Sequence, residues 1–398
     1  MSNHYFYLES VRDWPHDAIS IQRGQRSVSN ESWSVENLIG HFAEFSYENF
    51  FNLSKLELAE EDSYKFILNF IHMPHKIDFA HSAESVAYLN NDPKCYLVLM
   101  SCHEYAISPV ELATYIQSCN IPCNKVIVLC SNIEVHNSVI NGIKYICINF
   151  WESFTKLHHK LLPNVPIADA RQLPARIKTA NKKFLCLNRN IKPHRIWFYY
   201  ALVKQEMLDQ GHVSYHLPKI NSQEYFVMSN EQWTLKRIPS ELHDDFKKTN
   251  ARKMYARMLD RLETDAIINY GNGPAKYYND SLLSFVTESD PVKNFITEKT
   301  YKAIVNLHPF FIIGNPDQHT LLRQRGYHTF EDIFGSNGVM NYNEAVAMLA
   351  YLKSQDTDKL KKNIEINYID KLVHNQRHFF NRKVRWSSIV NEIINATK

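Results

Sequence analysis

The pair Glu298-Lys299 stands directly behind Thr297, a residue type that caps helices, and ahead of Tyr301, Ile304 and Leu307, which share one helical face. This pattern predicts a helix whose first turn carries a lysine. An ammonium there faces the positive end of the helix dipole, an arrangement that a nearby anion relieves. A diphosphate is such an anion, and the Glu298 carboxylate beside it can accept hydrogen bonds from sugar hydroxyls. A solvated ion pair on a helix cap is the competing reading. Arg195 opens a second helix behind an apolar strand and can bring another positive charge to the same diphosphate; an ordinary surface arginine is its alternative.

Between Arg171 and Arg195 the chain has eight lysines and arginines and no acidic residue. A solvated basic surface accounts for such a run. Yet it flanks the apolar Phe184-Leu185-Cys186-Leu187 and leads into a helix predicted over 195–208. Cations at the carboxyl end of a strand, ahead of a helix, lie where open α/β sheets bind anions. Side chains must hold the anion, because glycine does not: the chain has 10 Gly, and none forms G-x-x-x-x-G-K-[ST] or G-x-G-x-x-G. The nearest approach is Gly271-Asn272-Gly273-Pro274. P-loop nucleotidases, kinases with a glycine-rich lid and dinucleotide-binding enzymes are therefore disfavoured. Asp356-Thr357-Asp358 has the form of a metal-binding Asp-x-Asp, but it lies between two predicted helices, where capping explains it. His72-Met73-Pro74-His75 is interrupted by proline, and C-x-x-C and G-x-S-x-G are absent. Zinc, redox and α/β-hydrolase chemistry are thus weakly supported.

The elements that must position these residues follow from length and pattern. A chain of 398 residues, 44% hydrophobic and 22% charged, predicts two domains, each able to bury a core. The net charge of +3 is too mild to imply nucleic acid by itself. Of 7 Cys, six lie between Cys95 and Cys147, which predicts free thiols in a reducing compartment. The N-terminus has no basic segment followed by an apolar one, and no run approaches roughly 18 apolar residues. The expectation is a cytoplasmic protein without a membrane span.

Helices are predicted around Val35–Phe51 and Ser63–Ile71. The apolar runs Cys95–Met100, Lys125–Cys130 and Tyr145–Phe150, with a helix over Pro109–Ser118, read as parallel strands buried on both faces. A second α/β unit follows. It contains Phe184–Leu187, the run Ser281–Val286, the helix behind Thr297, the strand Pro309–Ile313, and a helix from Asn315-Pro316 to Gly326. A segment over 240–264 with Lys247, Lys248, Arg252, Lys253, Arg257 and Arg261 reads as an amphipathic helix with a basic outer face, contact with an acceptor or nucleic acid being the alternative. Helices over Asn343–Lys353 and Thr357–Phe379 close the chain. Pro163, Pro166 and Pro174 place a linker. The expected division is an α/β domain over 1–165, a linker over 166–180, a Rossmann-like domain over 181–365 and a helical tail over 366–398.

Three stretches resemble the family-ten glycosyltransferases, the α1,3/α1,4-fucosyltransferases. They are Phe184-Leu185-Cys186-Leu187-Asn188 with His194-Arg195 and Phe198–Leu202; Ser284-Phe285 with Glu288-Ser289; and Phe295-Ile296-Thr297-Glu298-Lys299 followed by Pro309–Pro316. The resemblance covers about residues 181–330 in the family's order. It implies a GT-B fold, two Rossmann-like domains facing a cleft, with a nucleoside-diphosphate sugar in the second. By the same resemblance Arg195 and Lys299 hold the pyrophosphate and Glu298 contacts ribose and sugar hydroxyls. Asn188, Glu288, Ser289, Phe295 and Thr297 complete the donor-binding set. The family's Phe-Glu-Asn is here Phe285-Val286-Thr287-Glu288-Ser289, two residues longer and with serine for asparagine, and Phe295 replaces a tyrosine. The N-terminal half has no alignable match. No metal or other cofactor is required on this reading, and GDP-fucose is the leading donor.

An inverting transfer needs one group to take the acceptor hydroxyl's proton. Glu104, just past the run Cys95–Met100, is the predicted base, with His103 as its rival; both can instead cap the segment that follows. The expected activity is transfer of a sugar to a glycan or other hydroxyl acceptor. Two rivals stand beside it: transfer to a hydroxylated base of DNA, and an inactive module that binds sugar or nucleotide.

Overall fold

The computed structural model describes residues 4–8, 50–52, 64–70, 83–101, 108–149, 151–152, 155–156, 167–188, 192–215, 235–236, 238–252, 275–292, 294–382 and 386–397. The chain forms two compact units, Met1–Phe154 with Lys383–Lys398, and Thr155–Arg382. Both are α/β and Rossmann-like, built on parallel sheets.

In the first unit the strands are β1 (His4–Leu8), β2 (Phe50–Asn52), β3 (Tyr64–Phe70), β4 (Cys95–Ser101), β5 (Val126–Cys130), β6 (Val139–Ile140) and β7 (Ile143–Cys147). They lie in the order β2-β1-β3-β4-β5-β7-β6, parallel throughout except for β6 against β7. The apolar runs of β4 and β5 are unbroken because both faces of these central strands are covered. Ser108 caps the helix Pro109–Ser118 by accepting from the Glu111 N–H, and Pro109 occupies its first turn.

One helix expected in this half is a strand. Residues 64–70 of the predicted Ser63–Ile71 helix form β3, paired in register with β1 on one side and β4 on the other. Phe66 and Ile67 are wholly buried there. An aromatic and β-branched sequence takes the strand when two neighbours supply its hydrogen bonds, and this outweighs a short helical pattern. Of Val35–Phe51, only 50 and 51 lie among the described residues, and they belong to β2.

The second unit's sheet contains β8 (Lys182–Asn188), β9 (Gly211–Tyr215), β10 (Ser281–Val286) and β11 (Phe310–Ile312), in the order β11-β10-β8-β9 and all parallel. The chain steps from β8 to β9 on one side, then returns to lay β10 and β11 on the other. The gap between the carboxyl ends of β8 and β10 is therefore the topological switch point, where open sheets bind ligands. The helices Pro193–Lys204 and Glu298–Val305 follow β8 and β10 and start beside it. Strand β9 is too polar to be read from its sequence. Its Gly211 is required by contact, since a Cβ there would sit 2.3 Å from the Phe184 ring.

The expected boundaries also change. The segment 166–180 contains the helix Leu173–Thr179, with Pro174 in the first turn, where proline is tolerated. Arg176 donates from Nη1 to the Asn306 carbonyl and from Nη2 to that of Leu307, both at 2.6 Å, fastening this helix to the second unit. Pro174, which marks a linker in composition, thus marks a helix start, while Pro163 and Pro166 lie outside the described residues. The tail divides as well: Ile369–Asn381 belongs to the second unit and Trp386–Ala396 to the first. The single helix predicted over Thr357–Phe379 is two, Thr357–Asn367 and Ile369–Asn381, broken at Tyr368. From the basic segment 240–264, residues His243–Arg252 are helical and 253–264 lie outside the described residues. No helix among the described residues is long and apolar enough to cross a membrane.

Candidate functional site

The ends of β8, β9 and β10 are tied together before any charged group arrives. Asn188 closes β8: its Oδ1 accepts from the Thr287 hydroxyl at 2.6 Å, and its backbone N–H donates to Ser214 Oγ of β9 at 2.8 Å. Its side-chain amide donates to Cys186 Sγ at 3.3 Å. All these groups are buried, so the turn Thr287-Glu288-Ser289 leaves the sheet from a fixed point.

Three cations converge on that turn. Lys192 Nζ donates to the Ser289 carbonyl at 2.7 Å. Arg195 Nη2 donates to the Thr287 carbonyl at 3.0 Å and approaches that of Glu288 at 3.4 Å. Lys299 Nζ donates to Ser289 Oγ at 3.0 Å, Thr297 Oγ1 at 3.2 Å and Glu298 Oε1 at 2.8 Å. Between them lies His194, whose Nε2–H donates to the Glu288 carbonyl at 2.7 Å. Burial drives its pKa well below the usual histidine value, and Arg195, Lys192 and Lys299 push in the same direction. The ring is neutral at pH 7, and it registers the summed positive potential of all three cations.

The helix that carries Lys299 starts as its sequence predicts. Thr297 is the N-cap, its Oγ1 accepting from the Lys299 N–H. Glu298 is buried and Lys299 is only 24% exposed at its side chain. The pair is therefore not a solvated helix cap. The ammonium is held there by a buried carboxylate and two hydroxyls, beside the positive end of the helix dipole.

The structure brings together Asn188, Arg195, Glu288, Ser289, Thr297, Glu298 and Lys299, while placing them at different depths. Arg195 is 2% exposed and contributes its charge from beneath the turn. Phe295 is buried, and its carbonyl accepts from Gln318 Nε2 at 3.1 Å. Glu288 is wholly buried, with both carboxylate oxygens engaged by protein groups. Lys192, His194, Thr287 and Thr300 join the constellation without having been singled out. Lys192 had a signal as a member of the basic run, and His194 and Thr287 lay inside the stretches that carry the resemblance; Thr300 had none, because its role depends on where β10 ends. Glu104 and His103 lie outside the described residues. Asp356 caps the helix Thr357–Asn367 by accepting from the Lys359 N–H at 2.9 Å, and no cluster of metal-ligating side chains occurs among the described residues.

No protein family and no curated protein matches the chain in sequence. Among solved structures it is similar to a UDP-forming α,α-trehalose-phosphate synthase from Burkholderia xenovorans, with 9% identity, a TM-score of 0.44, and coverage of 94% of this chain and 81% of that one. It is similar to the E. coli trehalose-6-phosphate protein bound with UDP-2-fluoro glucose, with 9% identity, a TM-score of 0.45 and 99% coverage of both chains. An α1,3-fucosyltransferase matches with 9% identity, a TM-score of 0.43, and coverage of 97% of this chain and 92% of that one. Likeness at this level decides nothing about the site, which stands on its own residues.

Proposed function

We propose that the chain is a GT-B glycosyltransferase that takes a sugar from a nucleoside-diphosphate sugar and passes it, with inversion, to a hydroxyl acceptor. The observation that carries this reading is the meeting of Lys192, Arg195 and Lys299 on the turn 287–289, at a topological switch point, in a unit without a glycine-rich phosphate loop. As the acceptor oxygen attacks the anomeric carbon, the bond from that carbon to the β-phosphate oxygen breaks and its electrons leave with the nucleoside diphosphate. The growing negative charge on the departing group is stabilised by fixed cations more than the ground state is, which accelerates the step. Glu298, beside Lys299, accepts hydrogen bonds from donor hydroxyls. Glu104 takes the acceptor's proton, with His103 as the alternative base. GDP-fucose is the leading donor and a glycan hydroxyl the leading acceptor.

A thermal-shift panel of GDP, UDP, ADP, dTDP and their common sugars tests the reading. A ligand that binds the folded state raises stability by about 2.7 kcal/mol at a hundred times its dissociation constant. One nucleotide class is expected to raise the melting temperature clearly above the others. A flat response across the panel at millimolar ligand overturns the donor site.

A further inference from the structure

Glu288 is the one carboxylate in the constellation that touches no cation through its own oxygens among the described contacts. Oε1 accepts from the Thr297 N–H at 3.1 Å and the Thr300 hydroxyl at 2.5 Å. Oε2 accepts from the Thr297 hydroxyl at 2.5 Å and the Ser289 N–H at 3.3 Å. A carboxylate offers about four acceptor positions, and here all four are filled by the protein's own neutral donors. The side chain is 0% exposed. A group so placed and so saturated has no capacity left for a ligand.

Its contacts run toward Lys299 instead. Because Glu288 is acceptor-only, the Thr297 hydroxyl must spend its proton on Oε2, which leaves the lone pairs of Oγ1 for the Lys299 N–H at 3.4 Å and Lys299 Nζ at 3.2 Å. The bond to Thr300 fixes the next residue of the same turn. The Ser289 N–H contact fixes the residue whose hydroxyl accepts from Lys299 Nζ and whose carbonyl accepts from Lys192 Nζ. We infer that Glu288 is a positioning residue: from the end of β10 it braces the first turn of the helix Glu298–Val305 and orients Thr297, so that Lys299 is aimed at the diphosphate. The inference rests on the donor-site reading above and removes Glu288 from the set of groups that contact the donor.

The experiment uses the full chain, with inorganic pyrophosphate and GDP as probes and calorimetry as the readout. Thr300→Val removes one donor to Glu288 at nearly constant shape and touches neither probe. It is expected to weaken both by about fivefold to tenfold, the size of one hydrogen bond to a charged acceptor felt indirectly. Thr300→Ser, which keeps the hydroxyl, should stay within about twofold of the parent on the same scale. Glu288→Gln turns an acceptor into a donor facing other donors and should weaken binding by about thirtyfold or more. Leu360→Ala, a core truncation elsewhere in the second unit, supplies the comparison for lost stability alone. Amide exchange at residues 297–301 without ligand is measured on the same proteins. Exchange there is expected to rise in Thr300→Val and Glu288→Gln but not in Thr300→Ser or Leu360→Ala. If Thr300→Val matches Thr300→Ser in both affinity and exchange, or if Leu360→Ala weakens binding as much as Glu288→Gln, the brace is refuted. If the parent binds neither probe while Thr300→Val still speeds exchange, the donor site is what fails and the positioning role falls with it.

Discussion

Replacing Lys299 with methionine isolates the charge on which the donor site turns. The methionine keeps most of the apolar stem, so the main loss is the ammonium. Nζ holds three oxygens at 2.8 to 3.2 Å, one of them the buried Glu298 carboxylate. A phosphate oxygen that displaces one of the two hydroxyl acceptors takes over its N–H in a charge-assisted bond worth roughly 1.5–3 kcal/mol. With the side chain 24% exposed, solvent screening is partial. Pyrophosphate and GDP should therefore bind roughly 10- to 150-fold more weakly, since each 1.4 kcal/mol is tenfold. The counterpart is a change of opposite sign. Glu298→Gln removes the competing negative charge, so pyrophosphate, which has no hydroxyls to offer, should bind about three- to tenfold more tightly by the same conversion. A nucleotide sugar should gain less, because it loses an acceptor for its hydroxyls. Calorimetry in low and high salt reads both effects, and the Lys299→Met loss should shrink as ionic strength rises. If Lys299→Met leaves pyrophosphate affinity unchanged, or if Glu298→Gln weakens it, the ammonium is not an anion contact and the reasoning fails.

Glu104→Gln should lower sugar transfer by about 10²- to 10⁴-fold while leaving donor affinity nearly unchanged, as for loss of a general base; if His103→Ala abolishes transfer and Glu104→Gln does not, the imidazole is the base. Arg176→Met should destabilise the second unit by about 1.5–3 kcal/mol, because two carbonyls at the end of the helix Glu298–Val305 lose a part-buried charged donor; a loss below about 0.5 kcal/mol in urea unfolding is the result expected of an idle surface arginine instead. His308 supplies a pH test. Burial, and then Arg176, lowers its pKa to about 3, and the ring bridges the Ser284 hydroxyl and the Tyr278 carbonyl. Between about pH 6.5 and 3 the unfolded chain binds a proton that the folded chain refuses. Stability is therefore full above that window and falls on acidification, by about 1.4 kcal/mol between pH 7.5 and 5.5 for this one residue. A His308→Gln variant whose stability falls as steeply as the parent's over that range would sink the assignment.

The strands that read clearly in the sequence are those buried on both faces. Val126–Cys130 is apolar at every position and Ser281–Val286 at four of six, and both are buried throughout because both faces meet core. Thr297, Glu298 and Lys299 were legible because a helix start has local chemistry: a capping hydroxyl, then a charge whose sign conflicts with the dipole. Strand β3 was not, since Tyr64–Phe70 takes its conformation from β1 and β4, which are distant in sequence. Glu288 was legible only as part of a motif, and its partners were not. Its acceptor role depends on Thr297 and Thr300, nine and twelve residues onward, and only the fold shows that these fill the carboxylate. Arg176 failed in the same way. In the sequence it belongs to a basic run; in the fold it closes a helix at Asn306 and Leu307.

A phosphate site made of side chains differs physically from a glycine-rich loop. A loop offers backbone N–H groups that are neutral and fixed by the chain, whereas Lys192, Arg195 and Lys299 carry full charge on flexible stems that must be ordered before they act together. The fold supplies that order through oxygens rather than amides. The Thr287 carbonyl holds Arg195, the Ser289 carbonyl holds Lys192, and the Ser289 and Thr297 hydroxyls hold Lys299. These partners are neutral and fix the cations without cancelling their charge, whereas Glu298 offsets that of Lys299 in part. On the proposed donor reading, an arriving dianion finds its counter-charges already in place, and less affinity is lost to ordering them. The scarcity of glycine and the density of cations near β8 are two sides of one design. Where backbone does not present the donors, the turn after β10 must present the side chains.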